Sequence, residues 1–218
     1  PPERADEVYH YVAQRLAKGQ QAYVVVPTID ESGHERAAEL KNVNQHAKML
    51  QDRHFADFKV ETLNGRMNRA TRESVMSRFR AGLVHVLVAT TVIEVGIDVP
   101  AATMMVVEHA ERFGLAQLHQ LRGRIGRGTT PVTSVCALIG DATTEDSQRR
   151  LAAIAATRDG FRLAEEDLAI RGMGDFFGTR QHGAPPLRVA RIPADMDLLQ
   201  LAQREAQQIV DADPALAQ

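Results

Sequence analysis

The stretch VHVLVATTVIEVGIDVPAATMMVVEH (residues 84–109) decides the fold. It contains two short runs, VHVLVAT (84–90) and ATMMVVEH (102–109), built from Val, Leu, Met and Ala with little polar–apolar alternation. A strand with one face in water alternates, whereas a strand covered on both faces reads as a continuous apolar run. Both runs therefore predict buried strands. Working outward, QAYVVVP (21–27), ended by Pro27, KVETLN (59–64) and VTSVCALIG (132–140) predict three more. Helices fall between them. Residues 5–19 place Val8, Tyr11, Val12 and Leu16 on one face, with Gly19 as a stop. Residues 36–54 carry Ala37, Leu40, Val43, Ala47 and Leu50 on a stripe, 70–81 turn Val75, Met76 and Phe79 inward, and LAQLHQLR (115–122) is a fourth helix. Strands alternating with helices predict an α/β domain: a parallel sheet covered by helices on both faces, with ligands gathering at the carboxyl ends of the strands.

The texture changes near Asp141. Residues 143–160 read as a helix capped at Thr143 or Thr144, and FRLAEEDLAIRG (161–172) as a second, ended by Gly172. The Gly- and Pro-rich GMGDFFGTRQHGAPP (172–186) reads as irregular, and 195–211 as a closing helix. The expected division is residues 1–141 and residues 142–218, the latter a small, mostly helical subdomain.

The totals narrow the function. The chain has 218 residues and a formal net charge of −2, so any case for nucleic-acid binding rests on local patches rather than on overall charge. One cysteine, Cys136, excludes an internal disulfide and reads as a buried small hydrophobe in an apolar run, which fits a reducing cytoplasm. No apolar stretch approaches the ~18 residues of a membrane span. The eight histidines are scattered, and no Cys/His spacing suggests zinc or another metal. The first residue is Pro1, not Met, which predicts a piece of something longer.

Three segments carry chemistry. In HQLRGRIGRG (119–128), Gln120, Arg124 and Arg127 share one face if the helix continues, and Gly123 and Gly126 leave the adjacent face bare. Two guanidinium forks on one face suit a polyphosphate, since arginine keeps its charge and binds oxygen pairs bidentately. The bland alternative is a basic helix end favoured by the helix dipole. In VLVATTVIEVGIDVP (86–100), Thr90 and Thr91 follow the strand, Gly96 permits a turn and Asp98 places a carboxylate beyond it. Hydroxyls and backbone N–H groups there suit a phosphate backbone; alternatively, the strand simply stops at turn residues. In LNGRMNRATRESVMSRFRAG (63–82), five arginines, Arg66, Arg69, Arg72, Arg78 and Arg80, face one acid, Glu73. That is the local footprint of phosphate contacts, or a solvated face.

In this order and after these strands, VATTVIEVGIDVP and QLRGRIGR resemble the second RecA-like motor domain of superfamily 2 helicases, over roughly residues 20–141. The resemblance implies that Arg124 and Arg127 are arginine fingers acting on an ATP, with Mg2+, held mainly by a first motor domain. Gln120 would help to position them, Gly96 and Asp98 would lie near the nucleotide, and Arg66, Thr90 and Thr91 would touch the nucleic-acid backbone. The tail DGFRLAEEDLAIRGMGDFFGTRQHG (159–183) resembles the TRG motif of the bacterial RecG and Mfd families, and GLAQLHQLRGR (114–124) is similar to a stretch that both families also share. FFGTRQHG and PTIDES (27–32) look more like RecG. By that resemblance Arg171, Arg180 and Gln181 couple cleft movement to duplex translocation. The implied whole is a cytoplasmic, nucleoid-associated bacterial helicase with an upstream first RecA-like domain and a wedge domain. It would act on branched double-stranded DNA, namely stalled forks and Holliday junctions, with single-strand-binding protein as a further partner.

No G-x-x-x-x-G-K-[ST] phosphate cradle occurs in the chain, and no Asp-Glu box ends a strand. Both are expected upstream, so the chain alone is expected to hydrolyse no ATP. Two alternatives stand beside this reading: the motor of a transcription-repair coupling factor of the Mfd family, and a non-catalytic nucleic-acid-binding module that keeps a motor fold. Two γ-phosphate arginines separate the first reading from the last.

Overall fold

Parallel pairing runs through the whole sheet. In a computed structural model that describes residues 2–27, 36–90, 99–126, 133–176 and 196–212, five strands pair in the order β2-β3-β1-β4-β5. They are β1 (Gln21–Val25), β2 (Val60–Leu63), β3 (Val86–Ala89), β4 (Ala102–Val107) and β5 (Val135–Leu138). The register sets Val24 beside Val88 and Val106, and Val106 beside Ala137, so the apolar runs stack across the sheet. The α/β, RecA-like architecture expected from the unbroken runs is the one present: the burial of β1, β3 and β4 is continuous rather than alternating.

Two helix layers produce that burial. On one face lie α1 (Ala5–Leu16) and α2 (Arg36–Arg53), whose Tyr9, Val12, Leu16, Val43 and Leu50 pack with Ala22, Val24, Val88 and Val106. The buried tyrosine of α1 is Tyr9, not the expected Tyr11, which is 39% exposed. A ring at position 9 stays on the Val12–Leu16 side of the helix, and the phenol of Tyr9 also finds a half-buried acceptor in Glu108. Side chains alternate across a strand, so Tyr23, Leu87 and Met105 face the other way, where Tyr23 meets Phe79 of α3 (Arg69–Arg80) at a ring separation of 5.1 Å. Buried Leu115, Leu118 and Leu121 of α4 (Leu115–Arg122) repeat at helical spacing.

Past β5, Thr144 caps α5 (Glu145–Ala156) by accepting from Ser147 N at 3.2 Å. The compact unit carries on beyond the texture change at residue 141 and includes residues 1–163, because α5 packs against α4 and the 3-10 turn Ala110–Arg112. Residues 164–218 form a second unit, which holds most of α6 (Gly160–Phe176) and all of α7 (Met196–Ala212). Helix α6 runs through Gly172 and Gly174, where the sequence predicts a stop and an irregular segment. A glycine inside a helix costs about 1 kcal/mol relative to alanine, too little to end one by itself.

Candidate functional site

The candidate residues fall at opposite ends of the sheet. At the carboxyl edge, Leu63 ends β2 and hands the chain to a tight loop. Buried Asn64 accepts from Arg66 N at 3.1 Å through Oδ1, and its carbonyl takes Met67 N. Asn68 then caps α3, its Oδ1 accepting from Thr71 N at 2.8 Å. Arg72 folds back and donates to the carbonyls of Gly65 and Met67, at 3.4 and 3.3 Å. The loop is thereby held from both sides, with Arg66 exposed on it. Thr90, the next residue after β3, lies at the same edge, but at 1% exposure its side chain is covered rather than presented. Thr91, Gly96 and Asp98 lie outside the described residues. The arginine patch is less bare than the sequence count implies. Arg69 pairs with Glu73 at 2.7 Å, and the fold brings a second acid, Glu61 of β2, onto Arg78.

The arginine-bearing turn sits at the amino edge. Helix α4 stops at Arg122, with Gly123 as its cap. Arg124 N donates to Leu121 O at 2.9 Å in a final turn, and Gly126 adopts φ +75° and donates to Ala102 O, the first residue of β4, at 3.4 Å. Helix α4 therefore ends before it could set Gln120 and Arg124 on one helical face. Gln120 is exposed on the helix, Arg124 is half-buried in the turn beyond it, and Arg127 lies outside the described residues. The reason is the pair of glycines: Gly123 caps the helix, and Gly126 takes a left-handed conformation that keeps the chain from resuming it. A Cβ on Gly126 would stand 2.2 Å from Ser134 Oγ, so this glycine is required by Ser134 packed against its backbone. A strand rises about 3.3 Å per residue, so the turn and the Asn64–Asn68 loop lie roughly 15 Å apart along the sheet.

Three further arginines organise this unit without standing out in the sequence. Arg122 donates through one guanidinium nitrogen to Ile154 O and Thr157 O, each at 2.7 Å, and its other terminal nitrogen contacts His119 Nδ1 at 3.0 Å. It thus caps the carbonyl end of α5 from α4. Burial pulls its guanidinium below the ordinary arginine value, with Cys136 opposing and Arg158 adding to the effect. Arg150 reaches from α5 to Phe113 O at 3.2 Å. Arg15 of α1 donates to Thr133 O at 2.7 Å. None of these links to backbone carbonyls has a local sequence signal, because each joins residues at least 32 apart in the chain. Between α4, α5 and β5 opens a cavity of about 1170 Å3, lined by His119, Arg122, Cys136 and Ile154 among others. Burial pushes the Cys136 thiol up to about 11, against the lowering effect of Arg122.

At the carboxyl end of β4, Glu108 accepts from buried Tyr9 and stands 3.7 Å from His46 Nε2. Burial lowers the His46 pKa, the Glu108 carboxylate opposes that and His109 adds to it. Among the described residues no group of three or more His, Cys, Asp or Glu could hold a metal ion, and no helix is long and apolar enough to cross a membrane. Of the coupling candidates, Arg171 falls within α6, while Arg180 and Gln181 lie outside the described residues.

Residues 3–129 match the model of the helicase conserved C-terminal domain. The chain belongs to that family. Residues 157–218 match a second model, that of the C-terminal part of domain 3 of the ATP-dependent DNA helicase RecG. This helicase domain is 40% identical over 210 residues to RecG of Synechocystis sp., covering 96% of the chain and 25% of that protein. It is 43% identical over 209 residues to RecG of Thermotoga maritima, covering 96% of the chain and 26% of that protein. Among solved structures, RecG bound to a three-way DNA junction superposes with a TM-score of 0.67 at 40% identity, over 92% of the chain and 25% of its counterpart. The chain thus spans about a quarter of the relatives it matches. Its RecA-like helicase fold and its kinship with the C-terminal motor portion of RecG follow from the two models together.

Proposed function

We propose that this chain is the second half of the motor of an ATP-driven double-stranded DNA translocase that remodels stalled forks and branch-migrates Holliday junctions. The observation that carries the reading is the continuation of a helicase C-terminal domain, residues 3–129, into a RecG-type segment, residues 157–218, within one chain. In this reading residues 1–141 are the second RecA-like domain and 142–218 the TRG-type hairpin, loop and terminal helix. Arg124 and Arg127 are the fingers. Fixed positive charge beside a transferring γ-phosphoryl group stabilises the negative charge that spreads over its oxygens in the transition state, an effect worth about 10³-fold or more in rate. ATP and Mg2+ are held mainly by a first motor domain and completed by the turn after α4, with Gly96 and Asp98 near the nucleotide and Gln120 steadying the turn. Arg66 and Thr91 contact the DNA backbone, Thr90, whose side chain is covered at the end of β3, supports that edge from within, and Arg171, Arg180 and Gln181 couple closure to movement. The two edges of the sheet then serve different ligands, DNA at the carboxyl edge and nucleotide at the amino edge, across a rigid layer of buried strands. The setting is the bacterial cytoplasm and nucleoid, with single-strand-binding protein as a partner.

The test is ATP turnover by the full-length helicase carrying this chain, with and without forked duplex, in wild type, Arg127→Ala and Arg171→Ala. The expected result is fork-stimulated turnover that Arg127→Ala abolishes, while Arg171→Ala retains turnover and loses fork reversal. Turnover that ignores DNA, or that survives Arg127→Ala, refutes the motor reading.

A further inference from the structure

Two chains of contact converge on Gly126, and both start from one side chain on a different helix. Arg15 lies in the last turn of α1. Its Nε donates to Gln20 Oε1 at 2.7 Å, one terminal nitrogen donates to Tyr11 OH at 2.9 Å, and the other donates to Thr133 O at 2.7 Å. The guanidinium carbon also stands 5.6 Å from the centre of the Tyr11 ring. Along the first path, Gln20 Oε1 accepts in addition from Thr103 Oγ1 at 2.6 Å. Thr103 adjoins Ala102, whose carbonyl accepts from Gly126 N. Along the second path, Thr133 adjoins Ser134, whose side chain packs so closely on Gly126 that no Cβ fits there. The arginine fork thus ties both the strand that receives the turn and the residue that presses on it.

We propose that Arg15 is a positioning residue for the arginine-bearing turn 124–126. The proposal rests on the reading of Arg124 and Arg127 as fingers. The guanidinium suits this role in two ways. It is a planar fork with donors at fixed angles, and it lies near an aromatic ring. A lysine offers one donor direction to any one acceptor and cannot span Gln20 Oε1 and Thr133 O in the same geometry. A helix end alone is stabilised by any cation near its carbonyls, but the reach to Thr133, 118 residues away in sequence, serves no purpose in capping α1. A displaced transition-state contact lowers the chemical rate far more than it lowers ground-state affinity, so the two kinetic constants separate a positioning role from a merely structural one.

The experiment uses the full-length helicase with Arg15→Gln, Arg15→Lys and Tyr11→Phe, measuring kcat and KM for ATP on saturating forked duplex, duplex affinity and thermal unfolding. Arg15→Gln is expected to lower kcat about ten- to hundredfold, the scale of a sub-ångström to 1 Å misplacement of a catalytic group. KM is expected to move by no more than about twofold, with duplex binding unchanged because the DNA-contact loop lies at the other edge. Arg15→Lys is expected to recover part of kcat, and Tyr11→Phe, which leaves both paths intact, to retain all of it. Normal kcat in Arg15→Gln overturns the proposal, as does a fall in kcat matched by loss of duplex binding. Should Arg15→Gln fail to fold, full kcat in Arg15→Lys overturns it instead. Normal turnover in Arg124→Ala and Arg127→Ala would fail the finger reading itself. Their inactivity beside a normal Arg15→Gln would fail the positioning role alone.

Discussion

Gly123 and Gly126 look equivalent in the sequence, and their substitution by alanine should have opposite consequences. At Gly126 the backbone is left-handed, φ +75°, and an added Cβ would meet Ser134 Oγ at 2.2 Å and Ser134 Cβ at 2.9 Å. The left-handed conformation costs a non-glycine residue about 1–2 kcal/mol. Relieving a contact that close requires a shift of the Ser134 backbone, not merely a rotamer change, which adds about 1–2 kcal/mol in the range of overpacked sites. Gly126→Ala should therefore destabilise by about 2–4 kcal/mol. At Gly123 φ is −70°, and a Cβ would meet only Gln120 O at 3.4 Å and His119 O at 3.6 Å, ordinary contacts. Gly123→Ala should be neutral or stabilise by up to about 1 kcal/mol, by restricting the unfolded chain. Urea denaturation of the 218-residue chain measures both. Ser134→Gly removes both clashing atoms, so the double variant Gly126→Ala/Ser134→Gly should recover about 1–2 kcal/mol relative to additivity, leaving the conformational cost alone. Equal effects at the two glycines, or no coupling to Ser134, would refute the geometry of the turn.

Two further outcomes follow from the same unit. Arg122→Met removes two charge-assisted bonds to the last carbonyls of α5. It should cost about 2 kcal/mol and speed amide hydrogen exchange in the α5 residues before Thr157, with α1 unaffected; uniform exchange across the unit would contradict a local clamp. His46 titrates below its ordinary value because of burial, against the pull of Glu108. Its unfolded value is about 6.5, so the unfolded chain binds the proton first as pH falls. The stability linked to His46 is complete above that pH and is lost as pH falls through the folded value, at no more than about 1.4 kcal/mol per pH unit. Thermal melts between about pH 7.5 and 5 should fall more steeply for wild type than for His46→Gln, and parallel slopes would remove His46 from the pH response.

The fold was legible because three of its strands, β1, β3 and β4, are short apolar runs without alternation, and helical stripes lie between β1 and β2, β2 and β3, and β4 and β5. Residues such as Val24, Val88 and Val106 carry that signal locally, and their burial on both faces follows from it. The helix after residue 160 was harder. Gly172 and Gly174 suggest a stop, while α6 continues to Phe176, since local propensity is a weak term. The candidate site was legible as a motif but not as a geometry. Spacing placed Gln120 and Arg124 on one helical face, whereas the left-handed Gly126 and the cap at Gly123 put Arg124 in a turn. Spacing also could not reveal that Arg66 and Thr90 stand at one edge of the sheet and Arg124 at the other, because edge depends on whether a residue follows a strand or precedes one. Arg15, Arg122 and Arg150 were invisible for a related reason: their partners are backbone carbonyls distant in sequence, and a carbonyl has no letter in the sequence.

Cys136 is the one cysteine of the chain, and its thiol is held at about 11. At neutral pH only about one molecule in ten thousand carries the reactive thiolate, against a few per cent for an ordinary surface thiol. Alkylating dyes should therefore react with Cys136 far more slowly than with a cysteine introduced on an exposed helix face such as that of α3. Within this domain, fluorophores can be placed for distance measurements without first replacing the native residue, and the β5 packing around Cys136 stays undisturbed.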